Sequence, residues 1–181
     1  MRYAVLGPLE VSDEDRPITV GGLKERVLLA MLLARRGSVV PAGDLIDGLW
    51  GTAAPRSASR TLAAHVTRVR AVLEPDRGGE AGPVVIRTAG AGWRLDVSAA
   101  AVDSGRFEDR SRLASAALRK GRFVEASGLA TAALAEWRGA AYDGFCSADI
   151  CAREAARLDS LRAAAVEDAA QSALALGRAG S

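Results

Sequence analysis

Residues 57–74 read SASRTLAAHVTRVRAVLE, and Pro75 follows them directly. An apolar stripe runs along this stretch, formed by Leu62, Val66, Val69 and Leu73. These side chains fall within about 60° of one another on a wheel of 3.6 residues per turn. The spacing predicts a helix that ends before the proline, because proline has no N–H to continue it. One side of this helix must face a core, and the opposite side stays polar.

The residues around this stretch alternate between short strand signals and helical patterns. The predicted upstream elements are strands over 3–7, 9–11 and 16–20 and helices over 23–36 and 41–50. The predicted downstream elements are a polar loop over 76–82 and a β-hairpin formed by 84–88 and 93–97. This order predicts an α+β winged helix-turn-helix domain whose third helix is the quoted stretch.

The polar side of the predicted third helix has the composition of a surface that reads DNA. Ala64 and Thr67 form a small centre that lets the helix lie deep in a major groove, and Arg60 and Arg68 flank it. Thr67 can hydrogen bond or touch a thymine methyl group, and both arginines reach guanine or phosphate. Ser57 begins this side. Residues suited to contacts with the DNA backbone lie further round: Arg56, Thr61, His65 and Arg70.

The predicted hairpin adds two arginines to this surface. Arg87 and Arg94 lie on its strands, and Arg94 is placed to enter the minor groove beside the helix. Gly90 and Gly92 let the hairpin approach another backbone closely. The Gly-Ala-Gly sequence also fits an ordinary hairpin turn. It lacks the third glycine and the following helix of a dinucleotide-binding fingerprint.

Charge alone does not separate a DNA-binding surface from an ordinary solvent-exposed one. The 181-residue chain has a net charge of +2, and 22 of its 24 cations are arginines. A GC-rich genome explains an excess of arginine and alanine without any nucleic acid, so an arginine-rich surface helix is the alternative interpretation. The clustering of arginines favours DNA binding, because the stretch from Arg56 to Glu74 contains four arginines and only one acid, at its end.

The chain contains few histidines and cysteines, the residues that form zinc sites and disulfide scaffolds. One histidine, His65, and two cysteines, Cys146 and Cys151, are too few for a zinc finger or a disulfide scaffold. The chain has no phosphate-binding loop motif. We therefore expect no enzymatic, cofactor or metal site. For His65, the alternative to a contact with the DNA backbone is a polar, partly exposed flank position. A hydrolase that uses His65 is a rival hypothesis without an identifiable nucleophile.

The sequence also predicts a cellular compartment. No apolar run approaches the roughly 18–20 residues of a membrane span. The first ten residues, MRYAVLGPLE, turn polar too soon for a signal peptide. Together with the low cysteine content, these features predict a cytoplasmic protein that does not contact a membrane.

The chain changes character near residue 98, where strand signals end and alanine-rich helices begin. Helices are predicted over 103–120, 123–137 and 149–176, and Gly121 fits the turn of a tetratricopeptide-like helix pair. From residue 98 on there are 11 basic and 11 acidic side chains, which favours protein contacts over DNA. The predicted domains are therefore residues 1–97, which bind DNA, and an all-α domain at 98–181.

Several stretches resemble a known family of bacterial regulators. Residues 45–51, LIDGLWG, and 59–75, SRTLAAHVTRVRAVLEP, resemble the DNA-binding domain of OmpR/PhoB-type response regulators, and GAGWRL at 90–95 resembles their wing motif. The opening YAVLGPLEV and the helical second half resemble the Streptomyces antibiotic regulatory protein (AfsR/SARP) family. In that family such a domain precedes a bacterial transcriptional activation domain. The resemblance covers nearly the whole chain.

The resemblance implies a transcriptional activator of secondary-metabolite (antibiotic) biosynthesis genes. It implies base contacts at Ala64 and Arg68 and a minor-groove contact at Arg94. The phosphate contacts it implies are Arg60, Thr61, His65 and Arg70. It also implies a loop that contacts the RNA polymerase holoenzyme, formed by Gly51, Thr52, Ala53, Ala54, Pro55 and Arg56.

The family resemblance carries further expectations about assembly. Its members bind promoter DNA with direct repeats spaced by roughly 10–11 bp, so copies of the chain are expected in tandem or as a homodimer on DNA. The family's activation domain is longer, which predicts a truncated or unusually short member. The helical half is expected to pack on the wing side or against another protomer. The alternative function is a protein–protein adaptor with a degenerate winged helix, which would bind no DNA even at low salt.

Overall fold

The computed structural model describes residues 1–75 and 85–179. Its strands are Arg2–Ala4 (β1), Glu10–Asp13 (β2), Arg16–Pro17 (β3), Val39–Pro41 (β4), Ile86–Ala89 (β5) and Gly92–Leu95 (β6). Its helices are Leu23–Ala34 (α1), Ala42–Trp50 (α2), Ala58–Leu73 (α3), Asp103–Arg119 (α4), Phe123–Leu134 (α5) and Asp149–Ala179 (α6). The loop predicted over 76–82 and the first residue of the predicted hairpin, Val84, lie outside the described residues.

The winged helix-turn-helix fold predicted from the sequence is confirmed. Helices α1, α2 and α3 pack against one another, and the sheet beside them has the strand order β4–β6–β5. The predicted hairpin is formed by β5 and β6, and Gly90 in its turn has a φ of +55°. The sequence did not predict β4, which pairs antiparallel with β6. Only one of its three side chains, that of Val40, is buried. An alternation of three residues is too short to be recognised as a strand in the sequence.

The pairing of β4 with β6 depends on Gly92. A Cβ atom on this residue would lie 2.1 Å from the carbonyl oxygen of Val40. The close backbone approach predicted for this glycine therefore occurs, and the backbone approached is the chain's own β4. At the hairpin turn, the N–H of Ala42 donates to the carbonyl of Ala91 at 3.0 Å, which ties the turn to the start of α2.

One cluster of buried side chains joins both halves of the described chain. The apolar stripe predicted on the third helix is buried, with at most 4% of any member exposed: Leu62, Val66, Val69 and Leu73. On α1, Leu28, Leu29 and Leu32 are completely buried. Phe107 and Tyr142 from the helical half belong to the same cluster. The winged helix and the helical half therefore share a core.

The segment after β1 connects the winged helix to the helical half. The N–H groups of Val5 and Leu6 both donate to the buried carboxylate of Asp103, at 2.8–2.9 Å. The N–H of Tyr142 in turn donates to the carbonyl of Val5 at 2.7 Å. The helical half packs mainly on α1 and β1, so the expected packing on the wing side is wrong. The backbone groups of this contact therefore come from the segment between β1 and β2.

Helices α4, α5 and α6 form the helical half and contact one another in all three pairs. Gly121, at the predicted turn between α4 and α5, has a φ of +71°. The ring of Trp137 lies edge-on to Phe107 at 5.3 Å and is covered by the guanidinium of Arg162 at 4.5 Å. Among the helices of the described residues, none combines the length and apolar character needed to cross a bilayer.

Candidate nucleic-acid interface

The solvent side of α3 is open along most of its length. Arg60, Ala64, Thr67 and Arg68 are all exposed, while the apolar stripe on the other side anchors the helix in the core. The two small residues form a shallow centre between the two long arginines. This is a convex helical surface with cationic edges, the shape that fits a DNA major groove.

The hydroxyl of Thr67 is already engaged within α3. Its Oγ1 donates to the carbonyl of Ala63 at 3.0 Å. Because that proton is used inside the helix, Thr67 offers a partner its methyl group and its oxygen lone pairs. Thr61 makes the equivalent bond to the carbonyl of Ser57 at 3.1 Å, at the start of the helix.

A buried carboxylate on α1 lies beneath this surface. Oε1 of Glu25 accepts a hydrogen bond from Nη1 of Arg68 at 3.1 Å and another from Nδ1 of His65 at 2.8 Å. Oε2 of Glu25 accepts from the N–H of Gly22 at 3.2 Å, which caps the start of α1. The side chain of Glu25 is 9% exposed and that of Arg68 is 64% exposed. Glu25 is thus bonded to two side chains of α3, the buried His65 and the exposed Arg68.

The ionisation of Glu25 reflects these contacts. Burial by itself raises the pKa of the carboxyl, but hydrogen bonds from His65, from its own backbone and from Arg68 outweigh burial and lower the pKa to about 2. Glu25 is therefore charged at neutral pH. A negative charge on the winged helix thus lies directly under an arginine of the exposed surface.

The expectation that His65 is a partly exposed flank residue is wrong. His65 is 8% exposed. Its ring lies 5.9 Å from that of Trp50, and its Nδ1 donates to Glu25. Because an acidic partner and an aromatic ring lie beside it, His65 joins α3 to α1 and α2.

Glu25 was missed by sequence reasoning, although a signal was present. It is the one acidic residue between Leu23 and Arg36. It also shares a helix face with Leu28, Leu29 and Leu32, at the spacing i, i+3, i+4 and i+7. An acid aligned with the core face of a helix needs a buried partner.

Arg70, predicted to contact phosphate, is used within the protein. Its Nε donates to the carbonyl of Ile86 at 2.9 Å, and its Nη2 donates to the hydroxyl of Thr88 at 3.1 Å. Both acceptors lie on β5. Arg70 therefore holds the hairpin against α3, a role that depends on a long-range contact and has no local sequence signal.

The two hairpin arginines share one carboxylate. Arg87 and Arg94 face each other in the register of β5 and β6. Nε of Arg94 lies 2.7 Å from Oδ1 of Asp96, and Nε of Arg87 lies 3.1 Å from Oδ2. Arg87 is exposed and Arg94 is half-buried. Both guanidinium groups therefore lie near the sheet surface, beside Asp96, and neither extends from the hairpin turn.

The loop between α2 and α3 projects into solvent. It begins with a short 3₁₀ turn at Gly51–Ala53, and every residue of the predicted polymerase-contact loop is exposed: Gly51, Thr52, Ala53, Ala54, Pro55 and Arg56. Ser57, which follows, is exposed as well. Trp50, at the base of the loop, packs on His65 and lies 5.4 Å below the ammonium group of Lys24. The loop is thus free to contact a partner while its base is fixed to the winged helix.

Comparisons with known proteins agree with this architecture. Residues 17–95 match the family described as "Transcriptional regulatory protein, C terminal", and residues 102–181 match "Bacterial transcriptional activator domain". The chain is 39% identical over 75 residues to regulatory protein AfsR of Streptomyces coelicolor, a match that covers 41% of this chain and 8% of AfsR. It is 35% identical over 111 residues to regulatory protein DnrI of Streptomyces peucetius, which covers 60% of this chain and 41% of DnrI. The matched regions span less than half of either relative.

A solved structure shares the whole arrangement. Mycobacterium tuberculosis EmbR, in complex with a low-affinity phosphopeptide, matches with a TM-score of 0.89 and 32% sequence identity. The match covers 99% of this chain and 47% of EmbR. Both halves and their packing are therefore common to the two proteins.

Proposed function

The chain belongs to the Streptomyces antibiotic regulatory protein family of transcriptional regulators, and from this premise we propose that it binds double-stranded promoter DNA and activates transcription by recruiting RNA polymerase. The observation that carries the proposal is the open face of α3. Its small centre at Ala64 and Thr67 lies between two exposed arginines, on a helix whose other side is locked into the core. The genes it controls are proposed to direct antibiotic biosynthesis.

The proposed complex places α3 in the major groove. Arg68 and Ala64 face base edges, while Arg60 lies beside a phosphate. The hairpin runs along the adjacent backbone, where Arg87 and Arg94 add positive charge near the minor groove. Copies of the chain bind direct repeats in tandem or as a homodimer, because the spacing of about one helical turn places equivalent faces on one side of the duplex.

DNA binding is tested by selecting duplexes from a randomised pool with the unmodified chain. We expect an enriched sequence with a direct repeat, and an affinity that falls steeply as salt rises, since each phosphate contact contributes about one unit to the logarithmic slope. A shuffled duplex of the same base composition is the control. The absence of any binding at low salt would favour the adaptor function and overturn the proposal.

The polymerase contact is tested separately with the loop between α2 and α3. Replacing Thr52 and Pro55 by alanine leaves α3 and its core unchanged, because both side chains are exposed, and neither residue is assigned to DNA. We expect the variant to retain its affinity for the selected duplex and to lose activation in a reconstituted transcription assay. Loss of both would show that the loop is structural only.

A further inference from the structure

Arg68 has an unusual position for an exposed arginine. Its side chain is 64% exposed, yet Nη1 is bound from below by a carboxylate that is 9% exposed. Among the described residues, Nε and Nη2 have no acceptor, so these donors are available to a ligand. Arg60, two turns earlier on the same face, makes no ion pair or side-chain hydrogen bond within the described part of the chain, which makes it a matched comparison.

The carboxylate itself cannot move freely. His65 donates to the oxygen that also accepts from Arg68, and the N–H of Gly22 donates to the other oxygen. Apart from Arg68, one side chain of α3 and the backbone of the residue before α1 therefore fix its position. A guanidinium bound to a fixed carboxylate loses much of its rotational freedom before any ligand arrives.

We propose that Glu25 is a positioning residue that holds Arg68 ready to contact a base in the major groove, so that sequence preference depends on a buried acid that does not touch DNA. This inference rests on the proposed DNA-binding function. Because the Arg68 side chain is ordered before DNA binds, less binding energy is lost in ordering it at the preferred DNA sequence. On other DNA sequences the fixed guanidinium finds no matching base and adds little binding energy. There the negative charge of Glu25 repels nearby phosphates.

The experiment compares Glu25→Gln with the unmodified chain, using the duplex selected from the randomised pool and its shuffled counterpart. Glutamine still caps α1 at this position and nearly preserves the volume, but it removes the charge. We expect the ratio of the two affinities to fall by about threefold to tenfold, in the lower part of the range for coupled neighbours. Affinity for the shuffled duplex is expected to stay the same or to rise.

A double-mutant cycle separates positioning from general damage to the fold. In an Arg68→Ala background, Glu25→Gln is expected to leave the ratio unchanged, whereas in an Arg60→Ala background it is expected to lower the ratio as in the unmodified chain. An unchanged ratio in the single variant, or an equal effect in both backgrounds, overturns the proposal. If the unmodified chain enriches no DNA sequence, the proposed function itself fails, and that outcome is distinct from failure of the positioning role.

A measurement without DNA covers the case in which Glu25→Gln does not fold. In the unmodified chain, nuclear magnetic resonance relaxation of the arginine Nε groups reports side-chain order on the picosecond to nanosecond timescale. We expect Arg68 to be markedly more ordered than Arg60. Equal disorder of the two side chains overturns the positioning role.

Discussion

Oε1 of Glu25 lies 2.8 Å from Nδ1 of His65, and this hydrogen bond joins α1 to α3. The acceptor is charged, which places the contact among the stronger hydrogen bonds of a folded protein. Both side chains are nearly buried, so water competes little with it. The position of α3 in the winged helix therefore depends on a charge as well as on the apolar stripe.

Lowering the pH is expected to remove the stabilisation that Glu25 supplies. Its pKa in the folded chain is about 2, below the ordinary value of 4.5, so the unfolded chain takes up the proton first as the pH falls. The stabilisation is full above the ordinary pKa and disappears between about pH 5 and pH 2. Urea unfolding of the unmodified chain and of Glu25→Gln should differ by roughly 1–3 kcal/mol at neutral pH. A difference that does not shrink toward pH 2 would contradict this explanation.

Gly92→Ala is expected to disrupt the wing. The added Cβ atom would lie 2.1 Å from the carbonyl oxygen of Val40, a backbone atom that cannot move without breaking the pairing of β4 with β6. We expect a loss of about 3 kcal/mol in the free energy of unfolding, measured in urea. Gly43→Ala is the control, because a Cβ there meets no atom within 4 Å and α2 gains up to about 1 kcal/mol in helix propensity. Equal stability of the two variants would contradict the steric argument.

Arg70→Ala is expected to act through the hairpin and not through phosphate. The change removes the hydrogen bonds to Ile86 and Thr88, so we expect a loss of about 1–3 kcal/mol in unfolding free energy. The dependence of DNA affinity on salt should keep its slope. Arg60→Ala should instead preserve stability and reduce that slope by about one. Anisotropy titrations of both variants at several salt concentrations measure the slopes, and equal reductions would assign Arg70 to phosphate.

Substitutions of Thr67 distinguish the two parts of its side chain. The hydroxyl proton is committed to Ala63, so a base is expected to be read by the methyl group. Thr67→Val keeps methyl groups and should preserve preference for a thymine in the selected duplex. Thr67→Ser keeps the hydroxyl and should weaken that preference by roughly 1 kcal/mol, the lower end of a base-specific contact. The reverse order of the two variants would assign recognition to the hydroxyl oxygen.

Features that depend on neighbours in the chain were predictable. The stripe on α3, the hairpin over β5 and β6 and the three helices of the second half follow from periodicity, turn residues and helix-ending residues. The exposed side of α3 follows from the same stripe, because burial of one side of a helix leaves the other in solvent. In contrast, β4 has too few residues for a recognisable alternation and exists through its pairing with β6.

The sequence by itself determined the winged helix, the helical half and the small centre of the α3 surface, because these depend on spacings of a few residues. Only the tertiary structure decided which arginines are available. Arg70 finds its acceptors on β5, His65 is buried against α1, and Arg68 is held by Glu25 from 43 residues away in the chain. Hydrogen-bond partners that distant are brought together by the packing of the core, which no local pattern encodes.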